Sequence, residues 1–203
     1  MPFEIPSDLN PQLMALAWMI GRWEGNGHGS WPGVGDFEYG QQIDIDTFGG
    51  PYLHYISQTF TRDEDGLPLA PLSMETGFWR PQNDGSVELV LSSPEGWSEV
   101  WVGKISGAKI ELVSDAVMRT STAELSYTGG QRLYGNVESD LLWTFDRATD
   151  DVPCSPTCGR ACSGWSSDRR AGRDGAWHRR AGSGPGRGRC RRRARLARGQ
   201  PPA

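Results

Sequence analysis

The stretch Gly21-Arg22-Trp23-Glu24-Gly25-Asn26-Gly27 limits what this chain can fold into more than any other. Successive side chains of an extended strand face opposite ways. Gly21, Trp23, Gly25 and Gly27 then share one face, and Arg22, Glu24, Asn26 and His28 share a polar one. Glycine weakens a strand interior. One large indole among glycines therefore suits a place where a sheet bends sharply or where something bulky comes close. Two roles follow: Trp23 plugs the end of a barrel, or the seven residues border a ligand cavity and Trp23 touches the ligand.

The residues just upstream predict a short amphipathic helix over 11–20 that caps this strand. Asn10 followed by Pro11 is a helix N-cap with proline at the first helical position. Leu13, Leu16, Ala17 and Ile20 recur at helical spacing, and Gly21 ends the run.

Downstream, short alternating runs follow one another with turn residues between them. Phe37, Tyr39, Ile43 and Ile45 alternate with Glu38, Gln42, Asp44 and Asp46. Further runs cover 52–61, 74–80, 87–91, 97–105, 109–113, a weaker stretch at Val117-Met118, 131–137 and 141–145. Asp65-Gly66, Asp84-Gly85 and Ser106-Gly107 are hairpin signals. About ten antiparallel strands without a second helix predict an all-β, up-and-down barrel over residues 10–150. A barrel of that size is wide enough to enclose a ligand. The expected interior is apolar and aromatic: Phe37, Tyr39, Tyr55, Phe60, Phe78, Leu89, Trp101, Leu141, Trp143 and Phe145. The chain's nine tryptophans exceed what packing asks for and are compatible with a flat, apolar ligand.

Charge divides the chain near Asp151. Residues 1–150 carry 22 acidic and 8 basic side chains, whereas 151–203 carry 3 acidic residues and 13 arginines. The tail is rich in Arg, Gly, Ala and Pro without apolar periodicity, and is expected to be disordered. Its arginines can attract phosphate, but Trp165 and Trp177 lie far from the densest run, so nucleic acid is not an expected partner. Cys154, Cys158, Cys162 and Cys190 all lie in the tail, at spacings unlike the usual metal motifs, and no metal site is expected. No secretory segment or membrane-length apolar run is present, so a cytoplasmic protein with no membrane partner is expected.

The order of helix, Gly-x-Trp-x-Gly-x-Gly strand and later pieces resembles the nitrobindin family of haem-binding β-barrels. The pieces are Leu16-Ala17-Trp18-Met19-Ile20, the glycine motif, Phe37-Glu38-Tyr39, Glu75-Thr76-Gly77-Phe78-Trp79-Arg80, Val87-Glu88-Leu89 and Leu133-Tyr134-Gly135. The resemblance implies a barrel that binds haem b through one proximal histidine after the last strand. It also implies conversion of peroxynitrite to nitrate by the ferric form. The three histidines here are His28, His54 and His178, and none follows Phe145 closely. The expectation is a nitrobindin-like binding protein that takes an apolar small molecule or weakly held haem, without a tightly bound cofactor or catalytic residues, and is not an enzyme. Two alternatives are a haem-dependent peroxynitrite isomerase using His54 as substitute ligand, and a carrier of apolar small molecules.

The tail offers a reason for the missing histidine. Back-translated with C-rich codons and one extra C ahead of Cys154, residues 154–163 read Leu-Gln-Pro-His-Leu-Trp-Ala-Arg-Leu-Gln. That string resembles the family's haem-ligand segment. A one-base deletion after Pro153 is thus expected to have replaced the native C-terminus.

Overall fold

A computed structural model of the chain describes residues 5–31, 35–123 and 127–149, and the backbone of 161–164. The expected all-β architecture is present. Nine long antiparallel strands run as a meander: β1 Gly21–Trp31, β2 Gly35–Thr47, β3 Leu53–Arg62, β4 Pro68–Pro81, β5 Ser86–Ser93, β6 Trp97–Ser106, β7 Lys109–Arg119, β8 Tyr127–Val137 and β9 Asp140–Thr149. A four-residue β10, Ala161–Gly164, lies between β9 and β1 and closes the ring. Cys162 sits on it, opposite His28 and Thr144. Among the described residues no helix is long and apolar enough to cross a membrane.

The strand set departs from the sequence expectation at two places: β10 lies within the tail expected to be disordered, and one expected strand is absent among the described residues. The weak run at Val117-Met118 is the end of β7. Its register against β6 shifts between Val100↔Ala116 and Trp101↔Ser114, which leaves Asp115 as the extra residue of a β-bulge. The bulge interrupts the alternation, so one strand reads as two.

The N-terminal segment also differs in kind. Pro11–Met19 is a 3-10 helix, with the Asn10 side chain accepting from the Gln12 N–H at 3.0 Å. Its period is three residues per turn. The fully buried positions are accordingly Leu13, Leu16 and Met19, with Ile20 already extended and only partly buried.

Alternation fixes which face of each strand looks inward. The β1–β2 register sets Trp23 opposite Ile43, Gly27 opposite Tyr39 and Gly29 opposite Phe37 on the inner face. The outer face carries Arg22, whose Nε is 2.6 Å from Asp44 Oδ1, and His28 near Glu38. Tyr39, Tyr55, Leu89, Trp101, Leu141, Trp143 and Phe145 are buried as expected. Phe60 and Phe78 fall on the outward parity instead. Phe60 covers Gly40 from outside, and Phe78 is 44% exposed.

The two halves of the barrel are filled differently. Beneath the 3-10 helix, Leu13, Leu16 and Met19 pack with Trp23, Ile43, Ile45, Leu53, Trp79 and Leu141 into one apolar cluster. Burying a Leu- or Ile-sized side chain contributes roughly 1.5–3 kcal/mol. Toward the other end, Gly29, Ser57 and Thr59 stand among the aromatic residues of the wall, and space opens between the strands.

Candidate functional site

A cavity of about 290 Å³ occupies that second half. Its walls come from β1 (Gly29, Ser30), β2 (Phe37, Tyr39, Gln41), β3 (Ser57, Thr59), β4 (Leu72 to Glu75) and β9 (Trp143, Phe145, Arg147). Small residues make the room. Tyr39 covers Gly27 and Phe37 covers Gly29, and a Cβ on either glycine would meet the ring at 2.2 Å. The strand therefore needs glycine at both positions if these aromatic rings are to form the cavity wall.

A hydrogen-bonded relay crosses one side of the cavity. Trp143 Nε1 donates to Gln41 Oε1 at 3.1 Å, and Gln41 Nε2 donates to Ser57 Oγ at 2.7 Å. The other side carries a buried ionic network. Arg132 donates from both terminal nitrogens to the two Glu75 oxygens, each at 2.7 Å, and from one of them to Tyr134 Oη at 3.2 Å. Tyr55 donates its hydroxyl to Glu75 at 2.8 Å, and Tyr127 donates to Glu99. Arg132 also lies 3.5 Å from Glu99.

Aromatic rings flank the two guanidinium groups. Arg132 sits 4.1 Å from the Phe145 centroid and Arg147 4.9 Å from the same ring. Burial pulls the Glu75 carboxyl upward, but the Arg132 charge and hydrogen bonds outweigh it and hold it below its ordinary value. Burial wins at Glu99, which is raised despite Arg132. Arg147 is lowered, first by burial and then by the Arg132 charge.

The glycine–tryptophan motif and the cavity occupy different lengths of β1. Trp23 is 1% exposed at the helix-covered end, with its Nε1 donating to Met19 O at 2.8 Å. The β1 residues in the cavity wall are Gly29 and Ser30, and none of residues 21–27 lines it. Arg22 and Glu24 are exposed on the outer face, and the Asn26 side chain accepts from Arg62 there.

His54, the substitute iron ligand of the haem-dependent alternative, is turned away from that role by parity. It lies outside the barrel between Phe48 and Phe78, with Nε2 3.2 Å from Thr76 Oγ1. His28 is also outside, and His178 and residues 154–160, the first part of the 154–163 stretch, lie beyond the described residues.

Sequence reasoning missed Glu75, Glu99, Arg132 and Arg147. Their signal was a charge at an apolar parity: Glu75 two residues before Gly77 and four before Trp79, Glu99 between Trp97 and Trp101, Arg132 two before Tyr134, and Arg147 two after Phe145.

The lining fits haem in one respect only. Tyr39, Leu72, Met74, Trp143 and Phe145 offer flat apolar wall to a porphyrin face. The metal-capable donors in the lining are the Tyr39 phenol, the Met74 thioether and the Glu75 carboxylate already held by Arg132. Among the described residues no histidine or cysteine borders the cavity, so they do not supply an imidazole for iron.

Known proteins place the chain firmly. The family described as "THAP4-like, heme-binding beta-barrel domain" matches residues 12–160. A ferric nitrobindin-like protein of Cutibacterium acnes is 64% identical over 157 residues, covering 77% of this chain and 95% of the relative. A peroxynitrite isomerase of Nocardioides sp. is 44% identical over 156 residues, covering 77% of this chain and 94% of the relative. The crystal structure of Rv2717c from M. tuberculosis superposes with a TM-score of 0.67 at 31% identity, covering 79% of this chain and 99% of that one.

The name of the Nocardioides relative overturns the expectation of a non-enzyme. That expectation rested on the positions of three histidines, whereas the relative carries an enzyme's name across three quarters of this sequence. The barrel, the motif and these matches agree that the chain belongs to the THAP4-like, haem-binding β-barrel family, the nitrobindin family that its glycine–tryptophan strand resembles.

Proposed function

We propose that this chain is a cytoplasmic small-molecule-binding barrel whose cavity takes a flat, apolar ligand of the haem class. The aromatic walls hold that ligand, without a histidine from residues 5–149. The observation that carries this reading is the split between wall and donors: Tyr39, Trp143 and Phe145 border the cavity while His28 and His54 face outward. Apolar area removed from water contributes about 25 cal/mol per Å², enough to drive a porphyrin-sized body inward without a metal bond. In this reading the motif Gly21–Gly27 serves the cavity by shape: Trp23 anchors the strand under the helix, and Gly27 gives Tyr39 its place.

Ferric haem titrated into the purified protein tests it. Saturable one-to-one binding that survives His28→Ala and His54→Ala supports the reading, and loss of the Soret band in either variant refutes it.

A second reading is favoured by the 44% identity to a protein named peroxynitrite isomerase: that the haem-loaded barrel isomerises peroxynitrite to nitrate. Stopped-flow decay of peroxynitrite with nitrate yield, with and without haem, decides it.

The proposal extends to the tail. A one-base deletion after Pro153 would have replaced a histidine-bearing closing segment. Sequencing the gene across the codons of Pro153 and Cys154 decides whether the shift is real. Restoring Leu-Gln-Pro-His-Leu-Trp-Ala-Arg-Leu after Pro153 should raise haem affinity above that of the present chain.

A further inference from the structure

Arg147 is unusual among the groups that border the cavity. Two lining residues, Glu75 and Arg147, are charged, and the Gln41 amide is bonded to Trp143 and Ser57. Glu75 is committed: Arg132 grips both its oxygens and Tyr55 donates to one of them. Its charge is shared between Arg132 and, more weakly, Arg147. Arg147 approaches the cavity as a cation stacked against Phe145, itself part of the wall, and also lies 5.8 Å from the Trp97 centroid. Burial and the neighbouring Arg132 charge both oppose its protonated form. Tyr127 and the Glu75 and Glu99 carboxylates favour it from within the network, and a ligand anion at the cavity face adds to that support alongside the bonds Arg147 makes. A guanidinium presents a planar fork that suits a carboxylate.

We propose that the cavity is selective for apolar acids, with the ligand's carboxylate docking on Arg147 while its apolar body lies against Tyr39, Trp143 and Phe145. This rests on the reading of the cavity as a small-molecule site and names the chemistry of its ligand. The acid can be the propionate edge of a porphyrin or the carboxylate of a smaller aromatic acid. The two share a head and differ in the size of the body.

Paired probes separate the head from the body and from iron. Metal-free protoporphyrin IX is compared with its dimethyl ester, and 1-pyrenebutyrate with its methyl ester, by fluorescence titration of the full chain. The acid of at least one pair should bind roughly tenfold or more tighter than its ester, the size expected of a charge-assisted hydrogen bond. Arg147→Gln should collapse that ratio toward one, and Arg147→Lys should restore part of it. Reading the ratio within each variant cancels any general loss of stability, which urea melts of the same variants report separately. Preference in the porphyrin pair alone identifies a haem-class acid, and preference in the pyrene pair alone a smaller one. Acid and ester binding equally, or a ratio unmoved in Arg147→Gln, overturns the inference while leaving the cavity as a binding site. Failure of all four probes to bind overturns both.

Discussion

The ring of Tyr39 covers Gly27, and a Cβ on that glycine would lie 2.2 Å from the ring's Cζ. The glycine of the first strand and the aromatic of the second are one structural unit. The ring fills the space that glycine leaves and thereby becomes wall. Gly27→Ala forces Tyr39 into the cavity or out of its place. Overpacking of this kind costs about 1–3 kcal/mol. Urea unfolding should show that loss together with weakened porphyrin binding. An alanine variant with wild-type stability and affinity would show that the ring can yield freely.

Trp23 separates anchoring from ligand contact. It is fully enclosed beneath the 3-10 helix, and its indole N–H is bonded to Met19 O. Trp23→Phe removes that bond and part of the packing, and should cost about 1–3 kcal/mol. Ligand affinity measured on the folded fraction should stay within about twofold, because Trp23 does not border the cavity. A loss of affinity larger than the loss of stability would give the indole a direct role.

The buried ion pair sets the acid response. Glu75 has a folded pKa held below its ordinary value by Arg132, against the pull of burial. Its stabilising contribution is present above the unfolded carboxylate value of about 4.3 and is lost as pH falls through the lower folded value. Glu99 is raised by burial, so its contribution has the opposite sign: present at low pH and lost as pH rises through its folded pKa. Glu75→Gln leaves Arg132 underpaired and should cost about 3–5 kcal/mol at neutral pH. It should also flatten the fall in urea midpoint below pH 4. Glu99→Gln should reduce the loss of stability that sets in as pH rises above the ordinary carboxylate range. Unchanged pH profiles in both variants would contradict the network's role.

These two acids also show where the sequence was legible. The glycine motif, the alternation and the Asp-Gly and Ser-Gly turns are local signals, and they predict the barrel because each strand reports its own inward face. The Asp115 bulge broke that signal within β7, and the period-three helix moved the buried position from Ile20 to Met19. The Glu75–Arg132 pair lies 57 residues apart in sequence, and only the closed register makes them neighbours. The same parity that buries Tyr55 turns His54 outward, which a histidine count could not reveal.

His54→Ala is the cleanest check of that parity. The side chain touches Phe48, Phe78 and Thr76 outside the barrel. Its removal should leave the haem titration unchanged. A variant that no longer binds haem would place His54 at the iron and overturn the orientation described.

The central claim is that this cavity is where the ligand goes, and filling it tests that most directly. Thr59 borders the cavity on β3, a strand position that accepts a large aromatic side chain. Ferric haem is titrated into Thr59→Trp and into the unaltered protein, with urea melts of both as the control for folding. The account predicts a folded variant whose saturable Soret titration is lost or weakened at least tenfold. A folded Thr59→Trp protein that binds haem as the parent does would contradict it.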